Sequence, residues 1–269
     1  MMRKAKDKNQ DDNFNQINQI VKYREFKIVK SNDFIQKSRF SLTVQEQKII
    51  LYLISKIRPE DMELKQHAFE IKDFCIICGL DALNGANYKY IKQTLKNLRD
   101  KSMWLTLENG SEILLAWLDY IIINKDSGSV NIKINDVMKP YLLQLQERFT
   151  QYELFYTLAM KSQYSIRLYE LLKSYENLYI KSFEINNFKK LLMCENYRNF
   201  NDFQRFVLSI AIREINKFSD LSITYTTIKE GKRFAQIEFT IQLKKAPGEK
   251  DSSWSQIQLD EFIPVAEKN

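Results

Sequence analysis

Apolar residues recur at helical spacing in two widely separated stretches of the chain. In the first, Ile49, Ile50, Leu53, Ile54 and Ile57 line one face before Pro59. Thr43, with Glu46 three residues on, forms a capping box that opens this helix. A comparable helix is predicted over 164–174, where Leu168-Tyr169 and Lys173 repeat Leu51-Tyr52 and Lys56. Each helix is followed by an extended run with the same triplet, Phe69-Glu70-Ile71 and Phe183-Glu184-Ile185. A short helix comes next, at 72–78 and 187–193, then a polar turn and a longer amphipathic helix. The first long helix, 88–101, puts Tyr88, Ile91, Leu95 and Leu98 on one face; the second, 201–218, is expected to turn Phe203, Phe206, Val207, Ile210, Ala211 and Phe218 inward. Asn201 is its expected N-cap, with Gln204 at the box position.

A hairpin closes each unit. Residues 103–107 turn through Glu108-Asn109-Gly110-Ser111 into 113–124, and 221–228 turn through Lys229-Glu230-Gly231-Lys232-Arg233 into 234–243. The first unit adds a hairpin from 121–124 and 130–134, and a helix over 136–146, with Pro140 in its first turn, is expected to join the two units. Helix, strand, helix, turn, helix, hairpin is the order of a winged helix-turn-helix. The expected fold class is α+β: two tandem winged-helix domains related by an internal pseudo-repeat. The expected boundaries are a flexible N-terminal arm (1–27), a first domain (28–148), a second domain (149–245) and a flexible acidic tail (246–269).

Composition fits this picture. Only six Gly and four Pro punctuate 269 residues, which argues against turn-dense all-β folds, and 44% hydrophobic residues exclude global disorder. The amino terminus starts positive but has no apolar stretch behind it, no window is apolar enough to span a membrane, and three Cys suit a reducing compartment. A soluble, cytoplasmic protein is expected.

The net charge of +7 suggests a polyanionic partner, although it also serves solubility. Its distribution separates the two readings, because residues 151–245 carry +5 while 246–269 carry −3. The start of the second long helix reads Tyr197-Arg198-Asn199-Phe200-Asn201-Asp202-Phe203-Gln204-Arg205. Arg pairs with guanine O6 and N7, and Asn or Gln with adenine N6 and N7, so Arg198, Asn199, Asn201, Gln204 and Arg205 are candidates for base readout. Lys229, Lys232 and Arg233 at the hairpin tip suit a phosphate or the minor groove, although exposed tips often carry Lys. Lys161, Ser165 and Arg167 open the helix at 164–174, where hydroxyls and an Arg at a helix N-terminus suit a phosphate. The alternative for Arg167 is an ion pair with Glu170 or Glu153. Lys89 and Lys92 on the first long helix are candidate phosphate contacts.

The arrangement resembles the plasmid replication initiators built from two winged-helix domains, the initiator Rep proteins of theta-replicating, iteron-bearing plasmids. The resemblance covers roughly 28–245 and rests on Leu42-Thr43-Val44-Gln45-Glu46-Gln47-Lys48, on 161–173, and on 200–215 with Asn216-Lys217. It implies binding of directly repeated double-stranded origin DNA as a monomer, dimerisation through the first domain, autorepression by the dimer at an operator, and recruitment of a host helicase. A homodimer surface is sought among Leu114, Trp117, Ile121 and Ile123, positions that equally suit the domain's own core. The alternative function is a tandem winged-helix transcriptional repressor not tied to replication.

Several chemistries fail on inventory. Cys75-Ile-Ile-Cys78 has metal-type spacing but only Cys194 and His67 to complete a set, and buried thiols are the expected reading. One His cannot build the His-hydrophobe-His metal site of rolling-circle initiators, and nothing recommends His67 as a triad member. No phosphate-binding loop of G-x-x-x-x-G-K-[ST] type occurs. No cofactor, no metal and no enzymatic activity are expected.

Overall fold

The computed structural model describes residues 26–81, 83–124 and 128–244. The arm expected at 1–27, apart from its last two residues, and the tail expected at 246–269 lie outside the described residues.

In the first unit, β1 (Lys27–Ser31), α1 (Asn32–Lys37) and β2 (Ser38–Arg39) lead into α2 (Val44–Ile54). The capping box forms as expected: Glu46 N–H donates to Thr43 Oγ1, and Thr43 N–H donates to the Glu46 carboxylate. β3 (His67–Glu70) follows, then the helix pair α3 (Ile71–Ile77) and α4 (Gly85–Asp100). The β4 (Ser102–Thr106) and β5 (Glu112–Ala116) hairpin comes next, with Gly110 at φ +81° in its turn.

The strand expected at 113–124 breaks at Trp117. β5 stays in a sheet of order β2-β4-β5, while β6 (Leu118–Ile123) joins β7 (Ser129–Ile134) and β3 in another. Trp117 is 1% exposed, with its ring edge-on to Phe34 and Phe40. Trp117 continues the inward phase of Leu115, but Leu118 beside it is also fully buried, at 0% exposed, and two successive inward residues interrupt the period-two alternation that a continuous strand requires. The connecting helix expected at 136–146 is a 3-10 turn (Asp136–Met138) and a single turn of helix, α5 (Lys139–Leu142). Leu143 is already extended and Gln144 takes φ +51°, so the helix cannot propagate.

β8 (Phe149–Glu153) begins where the second unit was expected, yet it pairs antiparallel with β1, Lys27 opposite Glu153. α6 (Phe155–Leu158), α7 (Gln163–Lys173), β9 (Ile180–Glu184) and α8 (Ile185–Leu191) follow. The second long helix consists of α9 (Phe200–Phe203), a π turn (Gln204–Leu208) and α10 (Ser209–Phe218). β10 (Leu221–Glu230) and β11 (Arg233–Leu243) form its wing, in a sheet of order β10-β11-β9. Both units are therefore winged helices, as the repeat predicted.

α7 joins the two units. Residues 165–173 are all buried, and its polar side chains reach across to the first unit. Arg167 donates from Nη2 to Ile35 O (2.8 Å) and Ser38 O (2.7 Å), and its guanidinium lies 4.8 Å from the Phe40 ring centre. Glu170 accepts from the Lys30 ammonium of β1 and from the Tyr152 hydroxyl of β8. Gln47 of α2 donates to Gln163 O at 3.1 Å. Charges removed from water are tolerated only with such partners, so this contact fixes one register of the units. Burial lowers the Lys30 pKa against the opposing pull of Glu170 and pushes Tyr152 well up.

Candidate nucleic-acid interface

The helix at 200–218 is anchored at both sides of its start. Asn199, not Asn201, is the N-cap: its Oδ1 accepts the Asp202 amide at 2.7 Å. Asn201 is thereby freed to face solvent. On the wing side, Phe200 stacks on Phe234 with centroids 4.1 Å apart, and Gln204 Nε2 donates to Tyr225 Oη at 2.9 Å. The turn before the helix is pinned from below, where the buried Lys189 ammonium donates to Tyr197 O at 2.7 Å. The interior face comprises Phe203, Val207, Leu208, Ala211, Ile215 and Phe218, all buried. Phe206, expected inside, is 43% exposed, because the π turn spreads one helical turn over an extra residue and rotates position 206 outward.

The outer face is polar and basic. Arg198, Asn199, Asn201, Gln204 and Arg205 are all exposed, Asn199 as the helix cap and Gln204 bonded to the wing. The face continues through Ser209, Arg213 and Lys217, each exposed. Arg213 went unassigned from the sequence, although the spacing Arg205, Ser209, Arg213, Lys217 is one stripe complementary to the inward set.

The wing tip is a two-residue turn, Gly231-Lys232, between the paired Glu230 and Arg233, with Gly231 at φ +63°. Glycine at the first central position is what a type II′ turn demands. A register shift between Ile228 and Lys229 marks a bulge just below the tip, and bulges re-aim side chains. Lys229, Lys232 and Arg233 are all exposed, the Lys229 ammonium 4.6 Å from the Phe234 ring centre. The wing tip and the helix start thus share an aromatic root.

The phosphate site expected at the start of α7 is corrected. Lys161 is exposed, but Ser165 is 0% and Arg167 4% exposed, so neither reaches a ligand from this position. The Arg167 guanidinium is spent on backbone carbonyls of the first unit, not on Glu170 or Glu153 as an ion pair, and burial pulls it down to about 10. The helix N-terminus already holds an anion, since the Glu214 carboxylate accepts the Lys161 and Ser162 amides, both at 3.1 Å.

In the first unit, Lys89 and Lys92 are exposed on α4, in line with Lys96 and Arg99. They border a groove of about 570 Å³ whose other wall is Tyr120, Ile121 and Ile123 of β6. Of the residues considered for a dimer surface, Trp117 is core, Ile121 and Ile123 are half-buried, and Leu114 is 52% exposed beside Trp104 at 40%. Cys75, Cys78 and Cys194 are buried thiols, and burial raises Cys78 and Cys194 to about 12. Among the described residues there is no His, Cys, Asp and Glu cluster able to hold a metal ion, and no helix long and apolar enough to cross a membrane.

Comparison with known proteins places this geometry. The model of the first winged-helix domain of initiator replication proteins matches residues 27–173, and that of the second domain matches 184–241. The PI protein of Escherichia coli is 28% identical over 185 residues, covering 61% of this chain and 61% of that protein. A replication initiation protein of Escherichia coli is 25% identical over 233 residues, covering 82% of this chain and 71% of that protein. The chain thus spans about three-fifths of the length of the first of these relatives. The crystal structure of Pi initiator protein in complex with iteron DNA superposes with a TM-score of 0.66 at 20% identity, covering 83% of this chain and 99% of that one. With both domain models matched in tandem, the chain belongs to the initiator replication proteins, a family of two winged-helix domains.

Proposed function

We propose that this protein initiates plasmid replication by binding directly repeated origin DNA. The observation that carries the proposal is the outer face of the 200–218 helix, which exposes Asn201, Gln204, Arg205 and Arg213 and whose start packs against the wing that exposes Lys229, Lys232 and Arg233. A helix of that chemistry fits the major groove, and a cationic wing fits the flanking phosphates. The second unit reads bases; Lys89, Lys92, Lys96 and Arg99 of the first unit hold the backbone beside it. The neighbour of like fold was crystallised with iteron DNA, which supports the same ligand class here.

The same first unit dimerises through the face that displays Trp104 and Leu114, and the dimer represses its own promoter. Replication follows from repeats bound side by side and from host replication proteins recruited to them in the cytoplasm. The protein acts by binding and distorting DNA, without covalent chemistry. Gel shifts on duplexes carrying direct repeats test the proposal: a complex that survives excess competitor DNA and weakens steeply with salt is expected. Binding lost equally to any competitor would refute it, and a nicked or covalently attached product from supercoiled origin DNA would refute the non-enzymatic part.

A further inference from the structure

The π turn delivers a phenylalanine to the middle of a polar face. In a regular helix, residues three and four after the fully buried Phe203 would both point inward. With the turn spread over Gln204–Leu208, Val207 and Leu208 fill the interior instead, each 0% exposed, and Phe206 stands outside. Asp202, four residues before it, and Ser209 and Arg213, three and seven residues after it, share that exposed face. The ring is held in place. It stacks on Tyr197 with centroids 6.1 Å apart and planes 27° apart, and Tyr197 is braced edge-on by Tyr164. The Arg205 guanidinium carbon also lies 5.1 Å from the ring centre.

An aromatic ring fixed among readout side chains has one apolar feature to meet on the floor of the major groove, the C5-methyl group of thymine. Resting on the reading of this helix as the base-reading element, we propose that Phe206 is a specificity-determining residue that recognises a thymine methyl. The thymine lies next to the base read by Arg205, because the guanidinium and the ring are in contact. The π turn is then the local device that exchanges interior packing for base contact, in keeping with the frequent placement of such turns at functional sites.

The test uses the full chain and a duplex selected by the protein itself from a random-sequence pool. Each thymine is replaced in turn by deoxyuridine, which removes only the methyl group. Wild-type protein is expected to lose about fourfold in affinity at one thymine per bound repeat, the equivalent of ~0.8 kcal/mol for one buried carbon. Phe206→Ala is expected to be indifferent to the same replacement, and Phe206→Leu to retain part of the discrimination. No sensitive thymine, or one equally sensitive in Phe206→Ala, would overturn the proposal; so would a Phe206→Ala defect confined to self-association. Should Phe206→Ala not fold, 5-iododeoxyuridine at the sensitive position provides a second readout on the wild-type protein. A photocrosslink mapping to Phe206 sustains the assignment, and one mapping elsewhere overturns it. A wild-type chain that selects no sequence at all would instead refute the DNA-reading function itself, and this inference with it.

Discussion

Replacing Glu170 by Gln removes one charge from the contact between the two units and leaves the shape nearly unchanged. Both Glu170 and Lys30 are 2% exposed, and the Tyr152 hydroxyl shares the same carboxylate oxygen. In the variant, the Lys30 ammonium is buried without a counter-ion, a situation that costs about 3–5 kcal/mol when a buried pair is broken. Neutralising Lys30 sets a ceiling on that cost. From its ordinary value of 10.5, loss of the proton at pH 7 costs about 5 kcal/mol, and at pH 9 only about 2 kcal/mol.

The sign follows from linkage. Burial depresses the Lys30 pKa in the folded chain against the raising pull of Glu170; without that pull the depression deepens, so below pH 10.5 the variant's folded state binds fewer protons than wild type's and the variant gains more stability as pH rises. Glu170→Gln should therefore melt roughly 6–20 °C below wild type at pH 7, at about 2–4 °C per kcal/mol, and the gap should shrink at pH 9. Thermal and urea unfolding followed by circular dichroism measure it. The double variant Lys30→Met, Glu170→Leu, which leaves no charge behind, should recover most of the loss. A Glu170→Gln deficit under about 1 kcal/mol, or one independent of pH, would refute the reading of Lys30 and Glu170 as a buried charge pair.

Three other outcomes follow from the same geometry. Trp117→Ala should cost about 3–5 kcal/mol in monomer stability as a core truncation, whereas Leu114→Asp should leave the melting temperature nearly unchanged and weaken self-association in sedimentation experiments; the reverse pattern would put Trp117, not Leu114, at the dimer surface. Cys78 and Cys194, held at about 12 by burial, should react with a thiol reagent at pH 8 only after denaturant is added, and fast labelling of the native chain would contradict their burial. Lys232→Ala at the wing tip should lower the salt slope of binding by about one phosphate contact and leave sequence preference intact.

The tandem fold was legible because its markers are local. The capping box at Thr43, the paired Phe-Glu-Ile triplets and the glycine-bearing turns each act within a few residues, and the structure places them as read. The helix caps Thr43 and Ser162 put the repeat two residues away from the alignment of Leu51-Tyr52 on Leu168-Tyr169; apolar pairs recur too freely along amphipathic helices to set register. What escaped the sequence depends on long-range pairing. β1 finds β8 across most of the first unit, and Arg167 finds carbonyls 129 and 132 residues away, so an Arg whose sequence position suits a surface helix start is core in the fold. Phe206 escaped for a different reason: ordinary helical periodicity cannot anticipate an extra residue in one turn, and it moves a side chain from inside to outside.

The central claim is that the 200–218 helix reads DNA bases through its outer face, and Arg205 is its most direct probe. Equilibrium titration of a selected direct-repeat duplex with wild type and Arg205→Ala, at one salt concentration, decides it. The account predicts a loss of about 1–3 kcal/mol with preference relaxed at a single base pair. Unchanged affinity and unchanged preference would contradict it.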